Sequence, residues 1–314
     1  MSKAPIPTMP TLSVILSRMR PLQGLAMAFA GAMLITPDTL LIRLSGLEGW
    51  GLTFWRGLLI GCSVFVLWLL IEGRAAIRQF PQLFSWPAII IVVANGGNTL
   101  AFNFAAVETS ITVVVTALAT APLLAAGLSF LILREPTPLR TWIAIAMTML
   151  GVLIVIFNGD GAQQAPQGNV WLGGGLGVLS AFGIAVMFVV TRRHPETPVL
   201  LACATGILLS GAFALFGAPA GDLMPGNWVP VILMGLVIMP LSWALLTLAP
   251  RYTSPTNVSL FMLLEMVLGP FWVWVGVGER PSIEMIGGAA LVLLTLIAFF
   301  LSAARDAAAA PKAD

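Results

Sequence analysis

Long apolar runs separated by short polar breaks fill this chain from residue 22 to residue 301. Ten runs can be bounded: Leu22–Leu41, Trp50–Ile71, Trp86–Ala106, Ile111–Leu133, Leu139–Phe157, Trp171–Val190, Val199–Phe216, Val229–Ala249, Pro255–Val277 and Ile283–Leu301. Each approaches the roughly 20 residues that cross a ~30 Å hydrocarbon layer at ~1.5 Å rise per residue. No alternating polar and apolar segments interrupt them, so the pattern predicts helices rather than the strands of a barrel. Thr137-Pro138, Thr197-Pro198 and Ser254-Pro255 each place a capping residue before a proline suited to the first helical position. Trp50, Trp86, Trp171 and Trp228 stand at run ends, where an amphipathic ring is most stable at the water–lipid boundary.

The pattern also repeats. Thr109-Ser110 precedes an apolar run that ends before Glu135, and adding 144 to each number reaches Thr253-Ser254 and Glu279 without a gap. A repeat of this length implies two similar halves. The expected organisation is a first five-helix unit over 22–157, a linker over 158–170 and a second unit over 171–301. A tail over 1–21, whose Leu12–Leu16 is too short for a signal-peptide core, and a tail over 302–314 flank them.

Polar residues inside the runs fall on faces. Asn95, Asn98, Thr99 and Phe102 share one face of the third run, and Ser242 and Trp243 of the eighth match Asn98 and Thr99 in the repeat. Thr112, Thr116 and Thr120 line up on the fourth run, as Asn257, Phe261 and Glu265 do on the ninth. Such faces must look inward, either lining a cavity or hydrogen-bonding neighbouring helices, which averages under about 1 kcal/mol per contact in membranes. Gly96-Gly97, Pro122, Pro240 and Pro270 sit at mid-run and predict kinks, tolerated where protein or a wet cavity covers the freed backbone. The Gly173-Gly174-Gly175 run suits close helix packing rather than phosphate binding.

Composition agrees: 59% of residues are apolar, 9% are charged and the mean hydropathy is +0.99, against about 25% charged in a soluble domain. The chain reads as an all-α integral membrane protein. Cys62 and Cys203 lie inside apolar runs, and His194 is the sole histidine; no metal site, disulfide frame or histidine triad is expected. No nucleotide-binding loop is present, so no cofactor is expected, and neither is a nucleic-acid partner. With a cytoplasmic N-terminus, inner segments would hold twelve of the fifteen Lys and Arg residues and outer segments only Arg43 and Arg280. That asymmetry predicts both termini inside, in a cell's inner membrane. Five spans per half then place the halves in opposite orientations, an inverted-topology repeat of the kind secondary transporters use.

Ten runs as five plus five, Thr53-Phe54-Trp55-Arg56, Arg134-Glu135-Pro136, and Leu264-Glu265-Met266-Val267 with Gly278-Glu279-Arg280 together resemble the EamA-type drug/metabolite transporter superfamily. The resemblance covers both halves. It implies export of amino acids or other small metabolites through a cavity lined by spans 1, 3, 4, 6, 8 and 9. Where the ninth run has Glu265, the fourth has Ala121, so any role of Glu265 belongs to one half.

Asp38, Arg56 and Glu265 are the ionisable residues well inside the runs, and a charge there costs about 2.5–3.5 kcal/mol on insertion scales. Glu265 lies near the midplane, and a carboxyl there suits proton coupling, a grip on a substrate ammonium, or a hydrogen bond that glues helices together. Asp38 and Arg56 should sit at similar depth on adjacent antiparallel helices, as a structural ion pair or as an outer gate. With Arg56 the lone basic residue in the runs, zwitterionic, neutral or cationic solutes fit better than organic phosphates, and protons are a candidate coupling ion. A membrane-embedded enzyme fits poorly with so few charges. A non-transporting sensor or scaffold, or an uptake carrier of the same fold, remains the alternative.

Overall fold

Helix is the regular structure throughout the computed structural model, which describes residues 12–47, 49–108, 114, 117–157, 169–217, 227–278 and 283–309. In chain order the helices are α1 (Leu12–Ile35), α2 (Asp38–Ser45), α3 (Gly49–Glu72), α4 (Trp86–Glu108), α5 (Ala121–Leu128) and α6 (Leu139–Phe157). They continue as α7 (Val170–Arg193), α8 (Val199–Gly217), α9 (Trp228–Leu233), α10 (Met239–Leu248), α11 (Pro255–Val277) and α12 (Ile283–Ala309). Short 3-10 turns join some of them. Helix α1 begins ten residues ahead of the first apolar run, and α12 runs on to Ala309. No strand occurs among the described residues.

Seven stretches are long and apolar enough to cross a membrane: Leu22–Ser45, Gly49–Phe84, Trp86–Ala105, Trp171–Arg193, Val199–Gly217, Trp228–Arg251 and Pro255–Gly276. Shorter apolar helices cover Ala121–Leu133 and Leu139–Ile154, inside the fourth and fifth runs, and Ile286–Ser302, which passes the end of the tenth run by one residue. The outer surface suits lipid, because Ile77, Phe84, Trp171 and Phe216 point outward with most of their area uncovered. A soluble protein rarely leaves such large apolar area exposed.

Two of the four expected breakers act as such. A turn at Ala119–Thr120 precedes Pro122, and a π-helical turn over Met234–Ile238 precedes Pro240. Helix α4 passes through Gly96-Gly97 without interruption, and α11 passes through Pro270. Glycine keeps its N–H, so the helix ladder survives, and Gly96 is used instead for close approach. A Cβ there would lie 2.9 Å from the Gly206 carbonyl oxygen, and one on Gly57 would overlap the Gly211 Cα. These contacts bring α3 and α4 tightly onto α8, as small residues do between membrane helices.

The principal contacts between halves follow one rule. Helix α3 packs on α8, α6 on α12 and α5 on α11. Helix α1 packs on α10 and α11, and α7 packs on α4 and α5. Helix α8 meets α4, while α3 meets α10 and its preceding π turn. Exchanging every run for the one five places away leaves this set unchanged.

Candidate functional site

The first helix breaks at Thr36-Pro37, because proline has no N–H to continue the ladder. The Thr36 hydroxyl donates to the Met33 carbonyl at 2.8 Å and accepts from Trp272 Nε1 of α11 at 2.8 Å. The chain restarts with Asp38 as the first residue of α2. There the partial positive charge of the helix N-terminus favours a carboxylate. Arg56 of α3 donates from Nη1 to Asp38 Oδ2 at 2.7 Å, and the Asp38 side chain is only 3% exposed. Its other oxygen, Oδ1, has no hydrogen-bond partner.

The rest of the guanidinium is wrapped in sulfur. Arg56 Nη1 lies 3.3 Å from Met234 Sδ, and Nη2 lies 4.0 Å from Met239 Sδ. These methionines are five apart, which in an α-helix separates them by about 140° of rotation. The intervening π turn closes Met239 N–H onto Met234 O and brings both sulfurs to the same side.

Glu265 belongs to the same cluster. Gly269, Trp272 and Gly276 follow it at i+4, i+7 and i+11, one face of α11, and that face meets α1 and α2. Trp272 bonds Thr36, a Cβ on Gly269 would reach Thr39 Oγ1 at 3.1 Å, and one on Gly276 would strike Leu40. Asp38 and Arg56 are near enough for their charges to reach the Glu265 carboxyl. Leu263, Leu264, Val267 and Gly269 around it are buried, yet Glu265 keeps part of its surface accessible. The three ionisable residues of the runs therefore fall in one region, where α11 packs against α1 and α2. Sequence reasoning set the Asp38–Arg56 pair apart from Glu265. It also missed Met234 and Met239, since a spacing of five matches no helical face.

The neutral polar positions sit between helices. Asn98 Oδ1 accepts from Ser180 Oγ of α7, and Ser242 Oγ donates to the Gly31 carbonyl of α1 at 2.8 Å. Asn98 and Ser242 correspond in the repeat, and each bonds to the first helix of the opposite half. Asn95 Nδ2 donates to the Cys203 carbonyl of α8 at 3.1 Å, leaving Oδ1 unpartnered. Thr99, Thr120 and Asn257 bond within their own segments, to the Asn95 carbonyl, the Ala117 carbonyl and the Thr253 hydroxyl. Phe102 is half-buried against the core. Phe261 is fully buried among Phe29, Phe299 and Phe300. Trp243 is buried, and its Nε1 has no partner. Thr112 and Thr116 lie outside the described residues. No group of three or more His, Cys, Asp or Glu side chains that could hold a metal occurs among the described residues.

A second charged group ties the opposite end of the bundle. Arg192 of α7 donates from Nε and Nη2 to Glu135 Oε1 at 3.2 and 3.0 Å, and from Nη1 to the Arg251 carbonyl at 3.3 Å. Arg251 Nη2 reaches the Thr197 carbonyl at 2.7 Å, and Arg193 Nη1 reaches the Ile132 carbonyl at 2.6 Å. Glu135 is aimed by Arg134, which ends a π-helical turn in the left-handed region at φ 55°. Gly278, the repeat counterpart 144 residues on, caps α11 at φ 83°. The left-handed cap is thus common to both halves, and only the second assigns it to the residue that adopts it without steric cost.

Comparison with known proteins bears on the family and the fold. The model of the EamA-like transporter family matches residues 21–157 and again 171–301. The "Uncharacterized transporter YdfC" of Bacillus subtilis (strain 168) is 22% identical over 79% of this chain and 82% of its own. The "Uncharacterized transporter YxxF" of the same organism is 25% identical over 60% of this chain, which spans 63% of that relative's length. A crystal structure superposes at a TM-score of 0.73, covering 89% of this chain and 98% of its own. At 15% identity that likeness shows the fold alone.

Proposed function

The chain belongs to the EamA-like transporter family, and on that premise we propose that it is a secondary transporter exporting small zwitterionic, neutral or cationic metabolites by alternating access. The observation that carries this reading is the packing rule: the principal contacts between halves are preserved when each run is exchanged for its counterpart, although α1 on α12 and α6 on α11 have no counterpart of similar extent among the described residues. Such exchange is what two inverted five-span repeats would produce, and it gives one sequence two packings related by symmetry. Joints expected on the same side also meet, since Asn227 N–H bonds the Ser45 carbonyl at 3.2 Å while Glu135, Arg192 and Arg251 gather at the other end. In this reading the Asp38–Arg56 pair gates the outer side, the Glu135 network holds the inner side, and Glu265 is the coupling or binding residue between them. The chain lies in a cell's inner membrane as ten spans with both termini cytoplasmic.

Topology is read by reporter fusions, at Asp160 on the outside and at Ala310 on the inside. An outside signal at Ala310 would overturn the span count and the inversion together. Transport is tested with purified protein in liposomes loaded with a metabolite extract, comparing solute loss under an imposed pH gradient with that from empty liposomes. If Glu265 carries the coupling proton, Glu265→Gln reaches the membrane, loses gradient-driven flux and keeps solute exchange. If it grips a substrate ammonium, both fall together. Wild-type rates of both kinds in Glu265→Gln would remove it from the mechanism.

A further inference from the structure

The connection between α3 and α4 is itself helical. Gly73 leaves α3 in the left-handed region at φ 53°, which glycine adopts without steric cost. A short helix Ala76–Gln79 follows, with a 3-10 turn on either side. Ala76 is buried, and Gln79 Oε1 accepts from Nε1 of the buried Trp68 at 3.0 Å, which docks one side of the connection on α3. Arg74, Ile77, Arg78, Phe80 and Phe84 are left exposed. Apolar side chains beside basic ones mark a segment that lies in the water–lipid boundary. Among the described residues neither Arg74 nor Arg78 has a hydrogen-bond or ion-pair partner. Glu72, the acidic side chain beside them, is near enough for its charge to reach Arg251.

A groove of about 380 Å³ opens along the seam of α3 and α8. Phe80, two residues from Arg78, forms part of its wall, with Phe54 and Phe65 of α3 and Leu201, Leu209 and Leu215 of α8. Thr205 is its one polar lining residue, and that hydroxyl is already bonded to the Leu201 carbonyl at 2.8 Å. The groove therefore offers a polar solute nothing to hold. From Leu201 to Leu215 it rises about 21 Å, more than half of a ~30 Å hydrocarbon layer. That reach suits an acyl chain.

We propose that this surface binds an anionic phospholipid, with one acyl chain in the groove and the headgroup phosphate at Arg74 and Arg78. Charge complementarity selects a lipid over a second copy of the chain. A copy related by a two-fold axis along the membrane normal would bring its own arginines to the same level. On the topology proposed above, the lipid belongs to the cytoplasmic leaflet, whose anionic surface attracts basic residues. Binding does not depend on what the protein transports or in which direction.

The test is native mass spectrometry of the full chain, delipidated in detergent and then supplied with phosphatidylglycerol or phosphatidylethanolamine of the same acyl chains. Phosphatidylglycerol is expected to be retained on the order of tenfold more, since each basic residue near an anionic surface contributes about fivefold. Arg74→Gln combined with Arg78→Gln should lower its retention to that of phosphatidylethanolamine. Leu209→Trp, at an exposed position, should fill the groove and lower retention of both lipids. Leu215→Trp gives the same reading if the first variant folds poorly. Inorganic phosphate should not displace the bound lipid. Equal retention of the two lipids, an undiminished preference in the arginine variant, or full retention in both tryptophan variants overturns the site. Displacement by inorganic phosphate overturns it in favour of a free-anion site. A dimer that survives saturating phosphatidylglycerol and dissociates in Leu209→Trp overturns it in favour of a second copy.

Discussion

Two arginine–carboxylate pairs, one toward each end of the bundle, share their chemistry and differ in what surrounds them. Arg192 makes two bonds to Glu135 and a third to a carbonyl, and the side chains are 29% and 39% exposed. Arg56 makes one bond to Asp38, its remaining contacts are to thioethers, and the side chains are 20% and 3% exposed. Thioether sulfur is a weak acceptor, so the deeper pair is the less satisfied one. Water can solvate whatever the Glu135 pair leaves open, but the spare oxygen of Asp38 has no such recourse. Maximum stability would reverse this arrangement. A poorly compensated charge retained deep in the bundle therefore points to use in function.

The sharpest break in this comparison is Arg56→Ala. It strands the Asp38 carboxylate, and removing one partner of a buried pair typically costs about 3–5 kcal/mol. The expected result is a large loss of folded protein in detergent, measured by size-exclusion yield and thermal unfolding. Asp38→Asn combined with Arg56→Gln should recover much of that loss. Strictly additive losses would mean that the two residues do not interact in the membrane.

A smaller effect separates sulfur from mere volume. Met234→Leu and Met239→Leu nearly conserve volume, and such swaps usually cost under about 1.5 kcal/mol. Each should destabilise the protein modestly by unfolding assays, and the pair of substitutions should slow solute flux more than either alone. Thermal stability equal to wild type in both single variants would reduce the methionines to packing.

Glu135→Gln should matter least, because exposed ion pairs contribute only about 0.2–1 kcal/mol. Its stability difference should shrink as salt is raised, since exposed charges are screened, while that of Arg56→Ala should not. Equal salt dependence of the two variants would erase the distinction between the pairs.

The two halves tell the same story in backbone terms. Arg134 and Gly278 occupy the same left-handed cap, and Asn98 and Ser242 make matching bonds to the first helix of the opposite half. The repeat was legible from Thr109, Ser110 and Glu135 alone, and so were the approximate positions of the apolar helices. Membrane residence follows from run length and hydropathy, because lipid offers no hydrogen bonds and a chain there must satisfy its backbone within each helix. These are properties of contiguous residues, and contiguous residues are what a sequence displays.

Partnership is different. Nothing in the spacing of Asn98 or Ser242 says whether a polar side chain faces a cavity or a neighbouring helix, because both faces look inward. Pro122 and Pro240 disrupt their helices while Gly96-Gly97 does not, and the glycines serve instead where α4 meets Gly206. The convergence of Met234 and Met239 on Arg56 required a π turn, which breaks the periodicity by which faces are read. The union of Glu265 with Asp38 and Arg56 required α11 to cross the break between α1 and α2, over more than two hundred residues of chain. The sequence by itself determined the helices, their solvent and their duplication, since each depends on local chemistry. Only the tertiary structure decided which charges share a site, because that depends on how distant helices cross and how closely their small residues let them approach.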